Sequence, residues 1–317
     1  VTLVLRPNAN WRGFEAGQYV RLGVEVNGVR RHRCFSLASS AHRKDRSIEI
    51  SARVNPDGIV SPYLKHRATT GEMYTVSPAQ GEFTLPERRP AHLLMIGSGS
   101  GVTPLMSILR TLHDEHHSGR VTFLHYARTE ADMLYRDELE DMTRHRPHLT
   151  VVRAYTAQRT GGDLYGHLSE EHLAAVGVDV VDVAAADAYV SGPPDLVETV
   201  RGIWTARGLA DRLHTENFAA PVAPTAAPTT HSVPHAKVIF ARSGVSAPAA
   251  GVSLLELAEA SGLRPPFGCR QGICTTCTSR KLGGTVRHLL NGEVSHVEEE
   301  QIRLCVSAPY GDVTLDL

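Results

Sequence analysis

The chain has 317 residues, of which 42% are hydrophobic and 21% charged, with a formal net charge of −1. That length exceeds one ordinary core and predicts two or three domains, while near-neutrality argues against broad binding to nucleic acid or anionic membranes. No apolar run reaches bilayer length, no secretory signal leads the chain, and a start on Val1 rather than Met is read as a trimmed N-terminus.

Residues 1–89 alternate apolar and polar in short stretches broken by turn residues, as in Tyr19–Val24 and Ser47–Ser51. Period two predicts a small antiparallel barrel or sandwich. From Pro90 the texture changes. His92–Ile96 reads as a buried strand, followed by a glycine loop and a helix. The strand Val121–Ala127, a helix near Asp132–Arg144, the strand Leu149–Tyr155 and the strand Ala188–Val190 with its helix come next. Strands alternating with helices predict a parallel α/β sheet over residues 90–218.

The glycine loop is Gly97-Ser98-Gly99-Ser100-Gly101-Val102-Thr103-Pro104. Glycines let the backbone approach a pyrophosphate, and a helix N-terminus offers open N–H groups and positive potential. Thr103 is expected as the N-cap and Pro104 in the first turn. A ligand-free tight turn is the bland alternative. His113-Asp114-Glu115-His116-His117 has the spacing of a histidine box of membrane di-iron desaturases, but lacks the further boxes and spans, so a solvated helix end is expected.

Residues 219–234, four prolines among Ala and Thr, read as a semi-rigid linker that lets the C-terminal domain swing. Residues 235–317 offer a strand at Ala236–Ala241, a helix at Leu254–Ala260, a cysteine loop and a strand at Val313–Leu317. That loop carries Cys269, Cys274 and Cys277 in the order C-x4-C-x2-C, with Cys305 further on. This is the plant-type pattern for a [2Fe–2S] cluster. The chemistry wants soft thiolates around two irons and small neighbours such as Gly268, Gly272, Thr275 and Thr276, so that backbone N–H groups reach the sulfurs. Structural zinc, the alternative, usually pairs two C-x2-C knuckles. The fifth cysteine, Cys34, reads as a packed thiol in a reducing compartment.

The third domain resembles the ferredoxin domain fused to reductases of the ferredoxin–NADP reductase superfamily, down to Leu304-Cys305-Val306-Ser307-Ala308-Pro309. The glycine loop is similar to that superfamily's G-x-G-x-G-x-x-P, and Ser191-Gly192-Pro193-Pro194 to its Cys-Gly-Pro beside the nicotinamide, with Ser191 in place of the cysteine. Arg33-Cys34-Phe35-Ser36 resembles its Arg-x-Tyr-Ser, flanked at the usual places by Gly17–Val20, Gly58-Ile59-Val60-Ser61 and Ser77–Phe83. The resemblance implies an antiparallel β-barrel flavin domain (1–89, short of its first strand), an α/β parallel-sheet nucleotide domain (90–218), the linker, and an α+β β-grasp ferredoxin domain (235–317).

It also implies roles. Arg33 would pair with a flavin phosphate, Phe35 stack on the ring system, and Ser36 hydrogen-bond the flavin, with Cys34 on the same strand and Gly58–Ser61 as a second phosphate-facing turn. Gly97, Gly99, Gly101, Thr103 and Pro104 would hold the pyrophosphate, with Ser191, Gly192 and Pro193 at the nicotinamide. Phe218 is either an aromatic beside the flavin or a hydrophobic stop before the linker. After the second strand of a dinucleotide fold an acid favours NAD and an arginine NADP. Arg128 and Arg136 resemble the NADPH arrangement, although Glu130 could take the NAD role.

The implied enzyme passes electrons from NADPH, through FAD and then [2Fe–2S], one at a time to an external acceptor. Rieske-type oxygenases, membrane acyl desaturases, alkane hydroxylases and epoxidases are served by similar reductases, and Trp204–His214 resembles actinobacterial partners of acyl desaturases. A monomeric cytoplasmic protein is expected, without a transmembrane span but able to meet a membrane-bound acceptor. A Rieske reductase using NADH and FMN, and a flavin redox sensor without turnover, stay open.

Overall fold

A computed structural model describes residues 1–26, 28–56, 58–176, 186–217, 236–249, 251–267, 272, 276–289 and 292–317. The linker at 219–234, Phe218, Cys269 and Cys274 lie outside the described residues. The chain divides into two compact units, one of residues 1–22 and 35–218, the other of residues 23–34 and 219–317.

The N-terminal strands follow the period-two pattern. β1 (Thr2–Leu5) pairs antiparallel with β4 (Ile48–Ser51), and β2 (Tyr19–Val26) lies between β3 (Val29–Ser36) and β5 (Thr75–Val76). Val20, Leu22, Leu37, Ile48 and Ile50 are buried, because alternate residues of a strand share one face. A short helix, α1 (Val60–His66), adds Val60 and Leu64.

The next strands are apolar through the middle of the sheet, as a sheet covered on both faces requires, and turn polar at one edge. They are β6 (His92–Ser98), β7 (Arg120–Ala127), β8 (Leu149–Tyr155), β9 (Leu164–Tyr165), β10 (Asp187–Gly192) and β11 (Leu213–Asn217), all parallel, in the order β11-β10-β6-β7-β8-β9. The helices are α2 (Val102–Asp114), α3 (Arg136–His145), α4 (Glu170–Ala175) and α5 (Pro194–Ala206). Leu93 and Met95 point into a core with Leu105 of α2 and Leu139 of α3, while Leu94 and Ile96 join Val197 and Trp204 of α5 on the opposite face. The strand order turns back between β6 and β10. At such a switch point the loops part and leave a crevice at the carboxyl ends of the strands, where open α/β sheets bind ligands.

Some boundaries differ from the sequence expectation. Thr103 is not the N-cap: a 3₁₀ turn over Gly99–Gly101 leads directly into the helix, whose cap is Gly101, and Thr103 is buried inside the first turn beside Pro104. The helix expected near Asp132–Arg144 starts at Arg136. A 3₁₀ turn at Glu130–Asp132 precedes it, and Tyr135 takes the left-handed conformation at φ 57°. His113 and His117 are half-buried rather than fully solvated. Among the described residues no group of three or more metal-ligating side chains could hold an ion, and no helix is long and apolar enough to cross a membrane.

In the C-terminal unit, β12 (Lys237–Phe240), β13 (Val245–Pro248), β14 (Thr278–His288), β15 (Val294–Ser295), β16 (Glu300–Arg303) and β17 (Ser307–Leu315) form one sheet in the order β13-β12-β17-β14-β15, with β16 also on β14. The last strand is longer than expected and starts at Ser307. Helix α6 (Leu254–Ala260) begins with a capping box between Ser253 and Glu256 and buries Leu254, Leu255, Leu257 and Ala258. They pack on Phe240, Val306, Val313 and Leu315, and Cys277 and Cys305 lie in the same core.

Candidate functional site

Three places gather the residues singled out by the sequence. The first is the crevice at the β6–β10 switch point. β6 hands over to the Gly99–Gly101 turn, and no side chain caps the N-terminus of α2, although the Val102 N–H already donates to Gly99 O within the turn, so the end that faces a ligand is the glycine turn itself. Gly101 passes so close to β10 that an added Cβ would sit 2.3 Å from the Ser191 carbonyl oxygen and 2.5 Å from Gly192 N. Gly99 has φ +56°, in the region glycine tolerates. Thr103 and Pro104 are buried in the first turn of the helix.

Ser191 is the penultimate residue of β10, opposite Gly97 of β6 on one side and Glu216 of β11 on the other. It is fully buried, and its hydroxyl finds no hydrogen-bond partner. The Oε2 atom of Glu216 is also buried and unpartnered, and burial pushes this carboxyl up to about 8. Two polar groups that cost free energy when left unsatisfied therefore stand side by side at the ligand end of the sheet. Gly192 is buried behind them and Pro193 caps α5. Glu216 escaped the sequence reading. Its signal is a carboxylate two residues before Phe218, and only the strand register brings it to Ser191.

At the end of β7, Arg128 is exposed. Arg136, at the start of α3, donates from Nη1 to Glu130 Oε1 at 2.9 Å. His125 of β7 lies opposite Gly97 of β6, stacks on Phe123 at 5.6 Å, and is pushed down to about 4 by burial.

The second place is the end of β3. Phe35 is half-buried, and Ser36 is buried with an unpartnered hydroxyl. Arg33 Nη1 donates to its neighbour's carbonyl, His32 O, at 2.8 Å, and Cys34 is half-buried. In the Gly58–Ser61 segment, Gly58 N–H donates to Asn55 O at 2.9 Å and Asn55 N–H to Ser61 Oγ at 3.0 Å. The Ser61 hydroxyl thus closes its own turn, while Ile59 is exposed and Val60 buried. Tyr19 bridges to Gln80, and Phe83 packs edge-on against Tyr189 at 5.4 Å, seating the 77–83 loop on the α/β core.

The third place is the cysteine loop. Gly272 N–H donates to Cys305 Sγ at 3.2 Å, and Leu304 N–H to Cys277 O at 3.1 Å. Gly272 has φ +76°, and an added Cβ would meet Val306 side-chain carbons at 2.9 and 3.0 Å. An N–H aimed at a buried sulfur across a glycine that nothing larger could replace is the environment an anionic thiolate–iron group requires.

The residues thus fit a flavin hydroxyl contact at Ser36, a nicotinamide site at Ser191 and Glu216, and a cluster at Cys277 and Cys305. Comparison with known proteins identifies the domains. The sequence matches three family models: an oxidoreductase FAD-binding domain over residues 2–85, an oxidoreductase NAD-binding domain over 95–202, and a 2Fe-2S iron-sulfur cluster binding domain over 239–310. It is 34% identical over 322 residues to an NADPH oxidoreductase of Mycobacterium tuberculosis, covering 100% of this chain and 80% of that one. It is 28% identical to the glycine betaine monooxygenase reductase subunit of Chromohalobacter salexigens, over 96% of this chain and 87% of that one. Among solved structures, phthalate dioxygenase reductase, described as a modular structure for electron transfer from pyridine nucleotides to [2Fe-2S], aligns with a TM-score of 0.65 at 25% identity, over 100% of this chain and 92% of that chain.

Proposed function

The chain belongs to the ferredoxin–NADP reductase superfamily, in the group with a fused [2Fe–2S] ferredoxin domain, and from that premise we propose how its own residues divide the work of an NAD(P)H-dependent electron-transfer oxidoreductase. The observation that carries the reading is the pair of buried, unpartnered polar atoms, Ser191 Oγ and Glu216 Oε2, at the switch point beside the glycine turn. Nicotinamide and flavin would supply the hydride chemistry there, and a cluster held by the C-terminal cysteines would supply one-electron steps.

In this reading Gly97, Gly99 and Gly101 let the pyrophosphate approach the α2 N-terminus. Ser191 and Glu216 orient the nicotinamide carboxamide, with Gly192 and Pro193 shaping the floor. Ser36 meets the flavin ring, Phe35 and Phe218 cover it, and Arg33 with the 58–61 turn takes the flavin phosphates. Cys269, Cys274, Cys277 and Cys305 hold the cluster. FAD is preferred to FMN, and NADPH to NADH, because Arg128 stands open at the end of β7. The acceptor is an oxygenase or desaturase component. The names of relatives favour monooxygenases, and the Trp204–His214 resemblance an acyl desaturase or alkane hydroxylase.

Steady-state kinetics with both nucleotides test the site. Arg128→Ala should weaken NADPH use sharply and leave NADH nearly unchanged, since charge-assisted contacts to a phosphate are strong. A wild-type preference for NADH, or equal loss with both, would overturn the assignment. Reconstitution with a monooxygenase and with a desaturase component, scored by NADPH-dependent product, decides the acceptor.

A further inference from the structure

At the end of β7 the chain carries its own counter-charge for a cation that nucleotide recognition could use. Arg136 Nη1 meets Glu130 Oε1 at 2.9 Å, and its Nε faces Asp137 Oδ1 at 3.4 Å and Glu140 Oε1 at 3.9 Å. Three carboxylates surround one guanidinium, so a phosphate brought to Arg136 would enter a neighbourhood that is already negative. Glu130 is held in position. Its N–H donates to Gln158 Oε1 at 3.1 Å, and the Gln158 amide donates to Thr160 O at 2.7 Å. Glu130 Oε2 lies against Gly161, where an added Cβ would come within 3.5 Å of it. Arg128, two residues earlier, is exposed, and its side chain forms no hydrogen bond or ion pair among the described residues.

The geometry points to Glu130 as the residue that sets nucleotide preference in this chain, by occupying Arg136 in place of a ribose 2′-phosphate. This rests on the reading that the adenosine ribose lies at the end of β7. Toward NADH, the Glu130 carboxylate accepts hydrogen bonds from the ribose hydroxyls. Toward NADPH, Arg128 makes the first phosphate contact, and Arg136 joins only after Glu130 has released it. The chain therefore accommodates both nucleotides, and its NADPH preference is held below what two free arginines would give. Glu130 and Arg136 are 43% and 40% exposed, so water weakens their pair, and its removal is worth up to about fivefold in affinity.

Calorimetric titration of the full chain with adenosine 2′,5′-bisphosphate and with 5′-AMP tests this without turnover. Glu130→Gln should tighten the bisphosphate by about fivefold and weaken AMP. With Arg136→Gln already in place, Glu130→Gln should bring no further gain for the bisphosphate. An unchanged ratio of the two affinities in Glu130→Gln, or the same shift in both backgrounds, overturns the assignment. If the wild-type chain binds neither compound, the placement of the ribose at β7 is wrong and the assignment falls with it. That failure is distinct from the first, in which both compounds bind.

Discussion

Three titratable side chains give this protein a stability profile whose signs can be worked out singly. Burial raises Glu216 from 4.5 to about 8, so between those values the folded chain holds a proton that the unfolded chain has released, and stability falls as pH rises. Burial lowers His125 from 6.5 to about 4, so in that window the unfolded chain binds the extra proton and stability falls as pH drops. Glu115 is drawn from 4.5 down to about 2, chiefly by the Arg89 guanidinium, so its contribution is lost on acidification through that range. Between 4.5 and 6.5 the first two oppose each other. Of the three, only Glu216 acts from 6.5 to 8, and there the melting temperature should decline. Glu216→Gln, neutral at every pH, should flatten that decline. Equal slopes for wild type and variant from pH 6.5 to 8 would show that Glu216 is not protonated in the folded state.

Arg110 of α2 ties elements that are distant in sequence. Its Nη1 donates to Ala38 O and to Glu49 Oε1, both at 2.8 Å, while Nε and Nη2 grip the two Glu138 oxygens at 2.7 and 2.6 Å. Its guanidinium lies 5.1 Å from the Tyr135 ring centre, and the Tyr135 hydroxyl donates to Ser51 Oγ at 2.7 Å. Arg110→Ala strips half-buried Glu138 of its bidentate partner and leaves the largely buried Glu49 with only Arg43, at 3.6 Å, among the described residues, and should cost about 2 kcal/mol, read as a lowered urea midpoint of the N-terminal unit; Arg110→Lys keeps the charge, loses the bidentate fork, and should fall between. An unaltered midpoint in the alanine variant would remove the clamp from the account. None of these ties is legible in the sequence, because the partners lie 28, 61 and 72 residues away. What is legible is local. Apolar runs mark β6 and β8, the spacing of Ser253 and Glu256 marks the start of α6, and the glycines mark the turn before α2. Where local rules compete they mislead: Thr103 looks like a cap beside Pro104, yet the 3₁₀ turn has already begun the helix. Tyr135 at positive φ, which delays α3, leaves no sequence signature.

For the whole molecule, the separation of the buried cores predicts that the two halves of the proposed electron path can be severed without destroying either. The parallel sheet has its own cores on both faces, and among the described residues neither contains one from the ferredoxin domain. Cys277 and Cys305, the described cysteines of the proposed cluster site, belong to a separate core with Phe240, Leu254 and Val306. Cys305→Ala removes a thiolate that accepts the Gly272 N–H, so an intact cluster should not form. A small two-electron dye that draws directly on the reduced flavin should still be turned over by NADPH, whereas reduction of cytochrome c, which needs electrons delivered singly, should collapse. Metal analysis of the wild type should find iron and acid-labile sulfide, and the variant should have lost both. Circular dichroism of the variant separates a lost cluster from an unfolded unit, and Gly272→Ala gives a second route to the same point. There the thiolates remain, but a strained φ and contact with Val306 should lower cluster occupancy. Cytochrome c reduction that survives in Cys305→Ala, or dye reduction that falls in step with it, would mean that electrons do not leave this protein through the cluster.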